Sequence, residues 1–192
     1  RKLMTETTLP LKQLLAGNMR YVEGTTTSSN KPEHRHELSE VHAPLAAILC
    51  CSDARVVPEI VFDQPLGSLF TCSVAGNIPT TEMIESLEYA VSFLGVPLLV
   101  VMGHSSCGAV TEALLSEYPR GLFSHIALPS VSNLHEAIIY NTKESVKTIL
   151  DRSPLILDSI ESGDLTVTSG VQDIASGKFP VLDCYQVHDQ GK

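Results

Sequence analysis

The sequence predicts an α/β fold: a mainly parallel β-sheet flanked by helices, with an N-terminal helical arm. Three observations predict it. Short, continuously apolar runs such as "PLAAILCC" (44–51) and "VPLLVVMG" (96–103) fit strands covered on both faces. Between them lies a stretch of helical periodicity, "TTEMIESLEYAVSFLG" (80–95). Strands that alternate with helices imply parallel pairing with helices packed on the sheet.

The elements follow in order. "LPLKQLLAGNMRYVEG" (9–24) spaces Leu11, Leu14, Leu15, Met19 and Val22 for a helix, with Pro10 suited to its first position and Gly24 to its stop. "TTTSSNKPEHRHELSE" (25–40) is polar and reads as a surface arm or loop. Residues 44–51 form the first buried strand. "GSLFTCSVAGN" (67–77) reads as a second strand closed by a Gly-Asn turn. In 80–95, Met83, Ile84, Leu87, Val91 and Leu94 share one helical face, with Gly95 beyond them. Residues 96–103 form the next buried strand, and "CGAVTEALLSE" (107–117) looks helical. Residues 129–162 show helical spacing at Val131, Leu134, Ile138, Val146, Ile149 and Leu150; Pro154 must break or begin a helix there. "DLTVTSGVQDIASGKFPVLDC" (164–184) reads as two strands joined at a Gly-Lys turn. The expected organisation is one domain over 1–192, with residues 1–43 as helix and arm and 44–192 as the α/β core.

Composition narrows the function classes. At 192 residues, 43% hydrophobic and 18% charged, the chain is long and apolar enough to bury a sizeable core. No stretch approaches the length of a membrane span. The formal charge of −9, without a Lys/Arg cluster, argues against nucleic acid or an anionic membrane as the main partner. Residues 1–30 lack the order of a signal peptide, and the missing initiator Met leaves room for an upstream targeting segment. Five scattered cysteines do not suggest a disulfide framework, so a reducing compartment, such as the cytoplasm, is expected.

Two motifs carry chemistry. Each lies where a buried strand is expected to end, and open α/β sheets collect ligands at the carboxyl ends of their strands. In "CSDAR" (51–55), Cys51, Asp53 and Arg55 are spaced by two, so an extended chain would point all three one way. In "HSSC" (104–107), His104 and Cys107 are three apart, so one turn can aim both at a single point. Alone, His104 reads equally well as a core histidine and Cys107 as a small buried hydrophobe. Together the motifs offer two thiolates and one imidazole, a set that suits tetrahedral Zn²⁺ and leaves a fourth position open for water. Thiolates donate more electron density than histidines, so that water needs help to ionise. Ionised Asp53 can accept a hydrogen bond there, or displace the water and ligate zinc itself. Arg55 can hold the carboxylate by a forked pair and so decide between these states. Cys50 alternates away from Cys51. Cys50, Cys72 and Cys184 read as buried small residues, and His34 and His36 as solvated loop histidines.

"CSDARVVPEIVFDQPLGSLF", "AGN", "SLEYAVSFLGVPLLVVMGHSSCGAV" and "VTSGVQDIASGKFPVL" resemble the β-class carbonic anhydrases across residues 9–184. The resemblance implies reversible hydration of CO2 to bicarbonate and a proton. It also implies a homodimer, often paired into a homotetramer, with the N-terminal helix wrapping the partner. It assigns Cys51, His104 and Cys107 to zinc and Asp53 and Arg55 to the catalytic dyad, with Asp53 a fourth ligand only in a closed state. Gly108 matches a glycine whose N–H faces the substrate. Phe70 and Tyr89 match apolar pocket walls, one set supplied across the dimer interface. His42 stands where the family usually has a substrate-binding Gln, and offers a titratable group for proton release. Ser73 and Gln172 replace an Arg and a Tyr that help hold an inhibitory bicarbonate in some members, so no such anion site is expected. Two other readings keep the fold and the zinc: a COS or CS2 hydrolase, and a non-catalytic zinc-binding scaffold or interaction subunit.

Overall fold

A computed structural model of the chain describes residues 8–28, 31–128, 130 and 133–186. Five strands form one sheet: β1 (Ala46–Cys50), β2 (Leu69–Ser73), β3 (Leu98–His104), β4 (Thr166–Gln172) and β5 (Val181–Tyr185). Their order is β2-β1-β3-β4-β5. The first four run parallel, and β5 returns antiparallel to β4. β1, β3 and β4 are buried at every position, which explains their apolar or small-residue character up to His104 and Gln172 at the carboxyl ends of β3 and β4.

Helices α1 (Leu9–Glu23), α2 (Pro32–Leu38), α3 (Pro58–Val61), α4 (Thr81–Ser92), α5 (Gly108–Leu115), α6 (Leu134–Arg152) and α7 (Pro154–Glu161) connect and cover the strands. On one face, Leu87 of α4, Ile149 of α6 and Ile156 of α7 pack on Leu49, Val101 and Val167. On the other, Leu14 of α1 and Phe62 after α3 pack on Ile48, Val100 and Met102. Thr80 caps α4 by accepting from the Met83 N–H, and Gly24 ends α1 at φ 70, a left-handed value that glycine adopts without strain. Pro154 begins α7 rather than interrupting α6.

Two expectations are corrected, and one element is added. The polar stretch 25–40 is not all loop: it contains α2, which buries none of its residues and so carries no apolar periodicity to read. Helix α3, one turn long, was not foreseen. Pro10 is the second helical residue rather than the first. The inner face of the N-terminal helix is anchored to the body of its own chain. Its buried Leu11, Leu14 and Asn18 are spent on its own chain, and Gly17 passes so close to the Phe62 carbonyl that a Cβ there would collide with it. Val131, part of the expected helical spacing, lies outside the described residues.

The strand order positions a site. From β1 the chain moves outward to β2, then crosses back to β3 on the other side of β1. The carboxyl ends of β1 and β3 therefore flank a topological switch point, where connections leave in opposite directions and open a crevice. Among the described residues no helix is long and apolar enough to cross a membrane.

Candidate metal centre

Cys51 follows the last residue of β1, His104 is the last residue of β3, and Cys107 caps α5. The switch point thus brings together two segments more than fifty residues apart. The ligand atoms of Cys51, His104 and Cys107 lie within 4.8 Å of one another, and all three residues are buried. The two Sγ atoms are 4.0 Å apart. Tetrahedral zinc with Zn–S bonds of about 2.3 Å requires roughly 3.8 Å.

The imidazole is prepared for this role. His104 Nδ1 lies 3.0 Å from the Ser105 carbonyl oxygen. A carbonyl only accepts, so Nδ1 carries the proton and Nε2 keeps its lone pair. Nε2 is buried and meets no hydrogen-bond donor or acceptor. An orphaned acceptor in a dry site is costly, and a cation between the sulfurs would satisfy it.

The thiols are prepared as well. Cys51 lies far below the ordinary thiol range because the Cys107 thiol donates to it; the backbone N–H groups of Gly76 and Asp53 add to this against the cost of burial. Cys107, the donor of the shared hydrogen, moves upward for the same reason. The Gly76 N–H lies 3.3 Å from Cys51 Sγ. Gly76 holds φ 76 in the 3-10 turn after β2, so the AGN segment read only as a turn also supports a thiolate.

Asp53 and Arg55 form the foreseen fork, but by a different route. The strand stops at Cys50, and the chain turns instead of staying extended. The Arg55 backbone N–H donates to Asp53 Oδ1 at 3.0 Å; Nε donates to Oδ1 at 2.8 Å and Nη2 to Oδ2 at 2.7 Å. These bonds, the Arg55 side chain first, hold the Asp53 carboxyl well below the usual range. Asp53 Oδ2 remains 3.9 Å from His104 Nε2, beside the centre, while both its oxygens are held by Arg55. Arg55 Nη2 also donates to the Ser106 carbonyl at 3.2 Å, tying the two motifs together.

The remaining candidates are placed as follows. Gly108 opens α5 beside Cys107; it is exposed, and as the first residue of the helix its N–H has no acceptor within the helix. His42 is exposed at the amino end of β1, whereas Cys51 is at the carboxyl end, with roughly 15 Å of extended chain between them. The Phe70 and Tyr89 rings meet at a tilt with centroids 6.0 Å apart, and Tyr89 stacks on exposed Phe93 at 5.5 Å. This group packs on the sheet cluster around Leu87. The apolar shell around Cys51 and Cys107 is built instead from Ile78, Val110, Ala113, Ile126, Ile138 and Val171. One chain therefore does not bring His42, Phe70 or Tyr89 to the centre. Cys50 faces the opposite sheet surface, as alternation required. Gln172, paired in register with His104, was noticed only as a departure from a pattern.

A carbonic anhydrase family description matches residues 46–179. Carbonic anhydrase 2 of Mycobacterium tuberculosis is 35% identical over 189 residues, spanning 90% of this chain and 91% of that protein. The carbonic anhydrase of Mycolicibacterium smegmatis is 33% identical over 183 residues, 87% of this chain and 89% of its own. Among solved structures, a tetrameric β-carbonic anhydrase of Sordaria macrospora superposes with a TM-score of 0.69 at 26% identity, covering 82% of this chain and 89% of that one. A Coccomyxa β-carbonic anhydrase in complex with acetazolamide reaches a TM-score of 0.71 over 91% of this chain and 87% of that one; at 22% identity it bears on the fold alone.

Proposed function

This chain belongs to the β-class carbonic anhydrases, enzymes of reversible CO2 hydration, and from that premise we propose that Cys51, His104 and Cys107 hold one zinc ion at which that reaction runs. The observation that carries the assignment is the convergence of two sulfurs and an unpartnered buried Nε2 within 4.8 Å. Three protein ligands leave one position of a tetrahedron open. Zinc held there supplies a Lewis acid that makes water a nucleophile near neutral pH.

The chain's own residues do the rest. Asp53, kept ionised by Arg55, is an acceptor only, so it takes a hydrogen bond from the attacking water and fixes its orientation. Arg55 grips both carboxylate oxygens, and Oδ2, with one bond from Nη2, keeps a lone pair free for that hydrogen bond. The Gly108 N–H offers a donor to a substrate oxygen. The apolar shell from Ile78 to Val171 suits CO2, which has no net dipole. A non-catalytic zinc scaffold has no need of the Asp53–Arg55 fork, and no feature favours COS or CS2.

The placement of Phe70, Tyr89 and His42 away from their own centre supports a homodimer or tetramer in which a second copy supplies these groups. The tetrameric Sordaria macrospora relative is consistent with that assembly. The test of the zinc assignment is metal analysis of purified protein. Wild type carries one zinc per chain, and His104→Ala and Cys107→Ser lose it. Full zinc occupancy in either variant would refute the ligand set.

A further inference from the structure

The turn from His104 to Cys107 must aim an imidazole and a thiol at one point. Within it, Ser106 holds φ 55, a left-handed value that strains a non-glycine residue. Such a turn keeps its shape only if its neighbours hold it, and they do so from two sides. Arg55 grips the Ser106 carbonyl. Opposite, Ser105 is fastened to the end of β4 and to the turn beyond it. Its N–H donates to the Gln172 carbonyl at 2.7 Å, and its Oγ accepts from the Ile174 N–H at 2.9 Å. That turn is closed by its own bonds, Asp173 N–H to the Lys178 carbonyl and Gly177 N–H to the Asp173 carbonyl, both 2.8 Å. The carbonyl of the same Ser105 accepts from His104 Nδ1.

We infer that Ser105 is a positioning residue for the metal centre: anchored through its hydroxyl to the β4–β5 turn, it sets the tautomer of His104 and aims Nε2 at Cys51 and Cys107. The inference rests on the zinc assignment above. The Ser105 hydroxyl also gives the smallest share, after the side chain and backbone of Ser176 and the charge of Lys178, in holding Asp173 below the usual carboxylate range. A group that both accepts and donates can be replaced by Thr but not by Ala.

Zinc affinity of the whole protein, measured by competition with a chromophoric chelator, tests this. Ser105→Ala should bind zinc about 10- to 100-fold more weakly, the usual range for losing support behind a ligand, while Ser105→Thr restores the affinity. Wild-type affinity in Ser105→Ala, or equal weakening in Ser105→Thr, overturns the inference. If Ser105→Ala does not fold, long-range ¹H–¹⁵N NMR of the wild type stripped of zinc decides, since no metal then dictates the tautomer. A proton on Nδ1 of His104 supports the brace, and a proton on Nε2 overturns it. A wild type that binds no zinc sinks the metal assignment itself, whereas zinc-loaded wild type with an unaffected Ser105→Ala sinks only the brace.

Discussion

Asn18 is the residue whose loss should cost the fold most for its size. It is buried on α1, far from the metal centre, and uses its whole amide. Nδ2 donates to the Val61 carbonyl at 3.0 Å and to the Gly177 carbonyl at 2.8 Å, and Oδ1 accepts from the Phe179 N–H at 3.0 Å. It thereby joins α3, which follows the Asp53–Arg55 loop, to the turn that fastens Ser105. Asn18→Ala strands one backbone N–H and two carbonyls. A stranded N–H costs about 1–3 kcal/mol, and each carbonyl, which has two lone pairs and tolerates being under-satisfied better, about 1 kcal/mol. The sum is about 4 kcal/mol, a large part of the ~5–15 kcal/mol that holds most domains folded. Asn18→Asp should be worse. It keeps the bond from Phe179 but turns a carboxylate oxygen on two carbonyls. Urea unfolding of zinc-loaded protein, followed by circular dichroism at matched chain concentration, measures both. A change within about 0.5 kcal/mol, the size of an ordinary surface substitution, would refute the reasoning.

Asp53→Ala should keep zinc, since it removes no ligand of the Cys-His-Cys set, but lose turnover by on the order of 100-fold; stopped-flow CO2 hydration near wild-type rates would contradict the role given to the carboxylate. Asp63, buried after α3, has an acid-dependent role. Burial pushes its pKa up, but donors from Ser28, Arg20 and Thr27 more than offset this, and its folded pKa lies below the unfolded value. Its contribution is therefore fully present above the unfolded pKa of about 3.9 and is lost as pH falls below it. Urea midpoints should drop more steeply between about pH 5 and pH 3 in wild type than in Asp63→Asn, and parallel curves would show that Asp63 is not responsible. Bicarbonate should not inactivate the enzyme through an anion beside Ser73 and Gln172. Neither residue carries the positive charge of the Arg that Ser73 replaces, so a crystal grown with bicarbonate and showing it between these residues would contradict this.

The sheet was legible because β1 and β3 are covered on both faces, so burial wrote itself as continuous apolar sequence. Cys51, His104 and Cys107 were legible because metal chemistry restricts residue type and spacing, and Cys50 was set aside by alternation alone. The Asp53–Arg55 pair was found for a partly wrong reason. Spacing by two suggested an extended chain, but a turn brings the guanidinium round to the carboxylate. α2 was invisible because it buries nothing. Asn18 was invisible for the opposite reason. Its partners are 43 to 161 positions away, and nothing local marks an amide that will be saturated by distant backbone. His42, Phe70 and Tyr89 came from resemblance alone, and the fold of a single chain leaves them outside its own centre.

The most direct test is anomalous scattering from crystals of the native protein, recorded on either side of the zinc absorption edge. The account predicts one peak per chain, about 2.3 Å from both sulfurs of Cys51 and Cys107 and about 2.0–2.1 Å from His104 Nε2. A protein active in CO2 hydration with no peak there, or with its zinc bound elsewhere, would contradict it.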